Sequence, residues 1–146
     1  MRDEFAPYLA SIGILQGVIL QRIKTIYEFF REECGEEIAD IFVTDYITED
    51  GSREYENLWF FSDRCCMEAK GFITRDEFDS APLKNRIVRW EVRKQDYDFK
   101  KAIQESRLYL RVFLEEEWAM GLKAAAGNCD YLRDIFRRYV VPNVKE

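Results

Sequence analysis

The side chains of this chain that could do chemistry are four cysteines, several adjacent carboxylates and a set of arginines; there is no histidine. That absence removes Ser-His and Cys-His pairs and histidine-ligated metal sites, the commonest routes to nucleophilic and metal catalysis. Cys34, Cys65, Cys66 and Cys129 show no C-x-x-C spacing, so a zinc site would need thiolates gathered from distant elements. Cys65 and Cys66 are neighbours in a predicted strand, where adjacent side chains point to opposite faces, so a bond between them is not expected. The four read as reduced structural thiols of a cytoplasmic protein. Glu32-Glu33, Glu36-Glu37 and the corner Glu115-Glu116-Glu117 read as solvated surface rather than acid–base pairs. Asp50-Gly51 fails as an EF-hand loop: with Gly51 at the sixth position, Tyr46 stands where the first aspartate belongs. There is no Gly-rich phosphate loop. The chain is therefore expected not to be an enzyme and to need neither metal nor cofactor.

The arginines carry more information. Over Arg86 to Lys94, Val88, Trp90 and Val92 alternate with Arg89, Glu91 and Arg93; Leu108, Leu110, Val112 and Leu114 alternate with Arg107, Tyr109, Arg111 and Phe113. A period of two predicts strands with one buried face. If these strands pair, Arg89, Arg93, Arg107 and Arg111 share an outer face with Tyr109 and Phe113. Arginine and aromatic residues carry most hot-spot energy, so this face is a candidate protein-binding surface. It also reads as a solvated sheet face with cross-strand pairs to Glu91. The net charge of -6 and pI near 4.9 oppose binding to nucleic acid or anionic lipid by charge alone.

The elements that must position these residues follow from the rest of the chain. With 146 residues, 47% of them hydrophobic and 15% aromatic, residues 1–146 are expected to form a single domain with its own core. Phe5 to Gln21 is uncharged, yet Met1-Arg2-Asp3-Glu4 is no basic leader, Pro7 interrupts, and the run is marginal for a bilayer, so no membrane crossing is expected. Tyr8, Ile12, Leu15, Ile19, Ile23, Ile26 and Phe30 recur every three or four residues. That spacing predicts one long amphipathic helix within residues 1–35, ended by Gly35, with Gly13 and Gly17 on it. Its first half is apolar on more than one side, so the helix is expected to meet both its own sheet and, through Ile12 and Ile19, another molecule, a partner or a second copy in a homo-oligomer.

Ile38 to Thr48 predicts a strand, Thr48-Glu49-Asp50-Gly51-Ser52 a hairpin turn, and Tyr55 to Phe61 the return strand. Ser62-Asp63-Arg64 turns into a third strand, Cys65 to Lys70, in which Cys65, Met67 and Ala69 share a face. Gly71 to Asn85 predicts a loop holding one helical turn, because Thr74 and Glu77 have capping-box spacing. Gln95 to Ser106 reads as a twisted strand through Tyr97 and Phe99 with a turn near Gln104-Glu105-Ser106, or as a short helix from Phe99 to Glu105. Trp118, Met120, Leu122 and Ala124 alternate as the last strand. Gly127 breaks it, Asn128 is the expected N-cap and Asp130 favours the first turn. Leu132, Ile135, Phe136, Tyr139 and Val140 then share one helical face until Pro142 stops the helix.

This order, with the run Leu58-Trp59-Phe60-Phe61-Ser62-Asp63-Arg64-Cys65-Cys66-Met67, resembles the bacterial branch of the pleckstrin-homology (PH) family. There an aromatic strand enters a Thr/Ser-Asp-x-Arg-like corner; here the corner is one residue shorter. The resemblance implies an α+β fold: an N-terminal long helix, then six to seven antiparallel strands forming a PH-like bent barrel over residues 38–140, closed by the C-terminal capping helix Cys129 to Val140. Cystatin-like or NTF2-like cones are the competing arrangements. Phosphoinositide binding in that family rests on Lys and Arg around the first hairpin. Here Asp45, Glu49, Asp50 and Glu54 face a lone Arg53, so no phosphoinositide is expected at that place. The expected function is a cytoplasmic, non-enzymatic interaction module that binds a protein partner or itself. The alternative is a small-molecule-binding protein or enzyme with a cavity between the long helix and the sheet. Peripheral membrane attachment through Tyr8 to Leu20 is a third reading.

Overall fold

Two glycines decide the N-terminal region. In the computed structural model, which describes residues 1–115 and 118–146, the chain enters α1 (Phe5–Ser11), leaves it, and enters α2 (Val18–Glu28). The single long helix expected from periodicity is therefore corrected to two. Gly13 takes φ +92° and Gly17 φ +90°, values that side-chain-bearing residues rarely adopt. At the end of α1, Ile14 N–H donates to Leu9 C=O (2.8 Å) and Gly13 N–H to Ala10 C=O (3.0 Å), a Schellman closure. Leu9 and Ile14, the pair that such a closure brings into apolar contact, are both buried. Ile12 of the predicted stripe and Ile14 beside it are buried from the connecting loop, whereas Leu15, also on the stripe, is exposed.

The chain divides into two compact units: Met1–Val43 with Tyr55–Pro82, and Thr44–Glu54 with Leu83–Glu146. Residues 1–35 fall within the first unit. The first four strands, β1 (Asp40–Ile47), β2 (Arg53–Phe61), β3 (Cys65–Lys70) and β4 (Glu77–Pro82), form one sheet in that order. Strand β4 replaces the loop with a helical turn expected at Gly71 to Asn85. Its residues pair antiparallel with β3, Phe78 opposite Ala69 and Ser80 opposite Met67, and the chain turns before it, with Thr74 and Arg75 N–H on Gly71 C=O, and after it, with Arg86 N–H on Leu83 C=O. A strand ending in Pro82 suits a sheet edge, where no N–H is needed. Phe60 and Phe78 face the same way by register, and Phe30 meets both edge to face at 5.8 and 5.7 Å. Such ring pairs are worth ~0.5–1.5 kcal/mol each beyond their buried area. Within this unit, the space between the α2 region and the strands is filled by aromatic rings.

The second unit holds the hairpin tip, the strands β5 (Ile87–Asp98), β6 (Ile103–Leu114) and β7 (Ala119–Ala125), and α3 (Asn128–Ile135). The sheet order is β5-β6-β7, all pairs antiparallel; outside the strands, Val144 makes an isolated parallel bridge to Ile87. The β5–β6 turn falls at 99–102, not at Gln104-Glu105-Ser106. Asp98 Oδ1 accepts the N–H of Lys100 (3.0 Å) and Lys101 (3.2 Å), and Ala102 takes φ +55°. An aspartate that bonds two residues onward is a turn-former, and its signal outweighs Gln-Glu-Ser. Helix α3 starts one residue early, so Asn128 lies inside it, after Gly127 at the N-cap; Leu132 and Ile135 are buried, and the chain winds on in wider and tighter turns to Asn143. Of the acidic corner Glu115-Glu116-Glu117, Glu116 and Glu117 lie outside the described residues. Glu115 is paired with Arg86 (3.2 Å) and Lys145 (2.7 Å).

Candidate functional site

The register of the three-stranded sheet assembles the arginine face. Arg89 lies opposite Phe113, Glu91 opposite Arg111, Arg93 opposite Tyr109 and Gln95 opposite Arg107. On the other side of β6, Tyr109 lies opposite Lys123, Arg111 opposite Gly121 and Arg107 opposite Ala125. Directly opposed residues point to the same side, so all six predicted sheet residues share one face. The opposite face of β6 carries Leu108, Leu110, Val112 and Leu114, all buried. Sequence reasoning missed Lys123, which joins the cations from β7; its signal was the alternation Met120, Leu122, Ala124, which already assigned Lys123 to the outer side.

Contacts across this face are close. The Arg89 guanidinium sits 4.1 Å and that of Arg111 5.0 Å from the centre of the Phe113 ring. Glu91 lies between the same arginines, 3.4 Å from Arg89 and 3.7 Å from Arg111. Arg107 pairs with Glu105 at 3.1 Å. These pairs are largely exposed and each contributes little to stability. Gly121 has a packing reason: a Cβ built there would stand 3.1 Å from the Tyr109 hydroxyl. The missing side chain lets the Tyr109 ring lie across β7.

At one end of the face the sheet meets the hairpin tip around a cavity of about 460 Å³, lined among others by Tyr46, Arg93, Arg107, Tyr109 and Lys123. Lys123 Nζ stands 4.7 Å above the Tyr46 ring. The wall is fixed by Asp45, whose side chain is fully buried. Its Oδ1 accepts from Ala125 N–H and from the Asn128 amide, each at 2.9 Å, and its Oδ2 lies 3.3 Å from Arg53 Nε. Burial raises the Asp45 carboxyl above its ordinary range, and the Asn128, Ala125 and Arg53 contacts pull back only part of the way. Two residues read as surface acid and helix cap, Asp45 and Asn128, are thus one buried clamp.

Other predicted residues lie elsewhere. Ile12 is buried at 1% exposure and so belongs to the core of its own unit, a correction to its expected contact with another molecule; its position in the loop after α1 turns it inward. Ile19 is half-buried in α2. Leu15 and Val18, at 69% and 85% exposure, are the open apolar side chains of that region. None of the four cysteines is in a disulfide: Cys34 is exposed and the others buried. Burial raises Cys65 and Cys66 and pushes Cys129 up to about 11, which suppresses thiolate and hence reactivity. Among the described residues no group of three or more cysteines and carboxylates is placed to hold a metal ion, and no helix is long and apolar enough to cross a membrane.

No family model matches the chain, and no curated protein matches it. Among solved structures it is similar to the C-terminal domain of an unknown protein from Leishmania infantum. The TM-score is 0.48 and the identity 11%, with 80% of this chain and 96% of that one covered.

Proposed function

We propose that this chain is a non-enzymatic, PH-like interaction module of the cytoplasm that binds a protein partner through the outer face of β5, β6 and β7. One observation carries the reading: Arg89, Arg93, Arg107 and Arg111 share a registered sheet face with Tyr109 and Phe113. The order of a four-stranded meander, a three-stranded meander and a C-terminal helix is that of the PH superfold and supports the family assignment. The aromatic filling between the α2 region and its sheet weighs against the cavity alternative. Four cysteines without a disulfide fit a reducing compartment. Self-association is the second reading, favoured by the exposure of Leu15 and Val18.

The test is a photo-crosslinking amino acid at Phe113, used in extract of the source organism, followed by binding measurements with the purified captured protein. A discrete partner is expected, and the pair Arg89→Glu/Arg111→Glu should weaken it by about tenfold or more, roughly 1.4 kcal/mol. A captured protein that binds the charge-reversed variant equally well would remove the face from the account.

A further inference from the structure

The three-stranded sheet has two edges, β5 and β7. On β7 the Ala125 N–H is taken by Asp45. On β5 the C-terminal tail covers the start, through the bridge of Val144 to Ile87 and the Lys145 N–H on Ile87 C=O (2.7 Å). Beyond Ile87, no strand among the described residues pairs with that edge. A row of unpaired N–H and C=O groups is a template for another strand. The side of β5 that continues the buried row of β6 is open as well. Trp90 and Val92, opposite the buried Val112 and Leu110, are 44% and 43% exposed, because α3 packs on β6 and β7 and meets β5 at the edge of the Phe136 ring, 4.8 Å from Trp90.

The sequence of this edge is complementary to itself. Register shifts between Ile87 and Arg89 and between Gln95 and Tyr97 leave Arg89 to Gln95 as the regular run of β5, and its midpoint is Val92. Two copies paired antiparallel about a twofold axis at Val92, outer face beside outer face, oppose Glu91 to Arg93 twice, Arg89 to Gln95, Trp90 to Lys94 and Val92 to itself. Opposite charges, and a cation against an aromatic ring, are favourable cross-strand pairs. An axis at Glu91 instead opposes Glu91 to Glu91 and Arg89 to Arg93; an axis at Arg93 opposes the two Arg93 side chains; an axis at Lys94 opposes the two lysines. An axis at Trp90 sets Arg89 against Glu91, but the regular runs then overlap from Arg89 to Glu91 alone, beside the part that the tail covers. Within one chain Arg93 makes no ion pair among the described residues, and Glu91 lies at the long distances of 3.4 and 3.7 Å from Arg89 and Arg111. A facing copy supplies Arg93 with a carboxylate.

We infer that a second copy of this chain docks antiparallel on the β5 edge with Val92 at the twofold axis, joining the two three-stranded sheets into one. This rests on the self-association reading and moves its contact from Leu15 and Val18 to β5. The arginine and aromatic faces of both copies then lie on one side of the joined sheet.

The test measures the mass of the intact chain by light scattering and sedimentation from about 1 µM to about 1 mM, because a short strand pairing is a small interface. The mass should rise from 17.5 kDa toward that of two chains. Glu91→Arg and Arg93→Glu each set like charges across the axis, and each should raise the dissociation constant about tenfold or more. An equimolar mixture of these two variants should form dimers again, since every pair across the axis then joins opposite charges. Amide dispersion shows that each variant is folded, and the recovery in the mixture is a readout that a folding defect does not give. A monomer at all concentrations, a dimer that neither reversal weakens, or a mixture that stays monomeric would overturn the inference. A dimer weakened by Glu91→Arg but not by Arg93→Glu would place the axis at Trp90 and overturn the Val92 register. If Val18→Asp dissolves the dimer and Glu91→Arg does not, the β5 pairing falls while self-association stands.

Discussion

At the scale of single residues, two buried carboxyls carry the energetic tension of this protein. Asp45 is surrounded by donors, whereas Glu68, on β3 directly opposite Asp79 and 8% exposed, is raised to about 7, first by burial and then by the neighbouring Asp79, Glu77 and Glu56 against the pull of Lys70. Both carboxyls hold their proton more firmly in the folded chain than unfolded. Their contribution is complete below the ordinary carboxyl range and is lost as pH rises, for Glu68 through about 7. Stability should therefore fall between about pH 5 and pH 8, and Glu68→Gln, which keeps the neutral shape, should flatten that fall by up to ~3 kcal/mol. Urea denaturation followed across this pH range reads the effect; parallel curves for the two proteins would show that Glu68 does not titrate in it. Asp50, lowered to about 2 by the Thr48 hydroxyl and Ser52, works in the opposite sense and only at strongly acid pH.

At the scale of elements, the N-terminal break is set by backbone conformation. Gly17 combines φ +90° with ψ -160°, a region open in practice to glycine alone, and nothing stands within 4 Å of where its Cβ would be. Gly17→Ala should thus cost ~1–3 kcal/mol through the backbone only. Gly13→Ala should cost more, since its Cβ would come within 2.9 Å of the Tyr55 hydroxyl, which donates to Ile12 C=O. Denaturation midpoints check both. A gain in helical circular dichroism together with a gain in stability would mean that the continuous helix predicted from periodicity is the preferred state. The face on β5, β6 and β7 is the opposite case: alternation within each strand predicted which side chains share a side, and the register agrees with it residue by residue.

At the scale of the whole molecule, the second reading concerns what Leu15 and Val18 meet. Two large apolar side chains left in solvent favour burial against another surface, at roughly 25 cal/mol per Å² removed from water. If they join two copies, light scattering at rising concentration should give a mass above the 17.5 kDa of one chain, and Val18→Asp should return it to that value. A constant monomer mass at all concentrations would leave those residues without that role. The acidic whole, carrying a basic face on one of its two compact units, also predicts the sign of any partner that the face attracts.

By itself the sequence determined which residues share a strand face, the antiparallel meander, the terminal helix and the absence of imidazole chemistry, because side-chain alternation and residue identity are local properties. It did not reveal the break at Gly13 and Gly17, since a run of apolar residues fits a helix as well as a loop that buries Ile12 and Ile14 and leaves Leu15 in solvent. It missed β4, whose short polar run becomes a strand only because β3 offers a partner edge and Phe30 a surface for Phe78. It read Asp45 and Asn128 as surface and cap, because only tertiary structure brings side chains 83 positions apart to 2.9 Å and removes them from water. Lys123 joins Arg93 around Tyr109 for the same physical reason: strand pairing places β7 beside β6, and cross-strand neighbours are fixed by register, which a single strand does not encode.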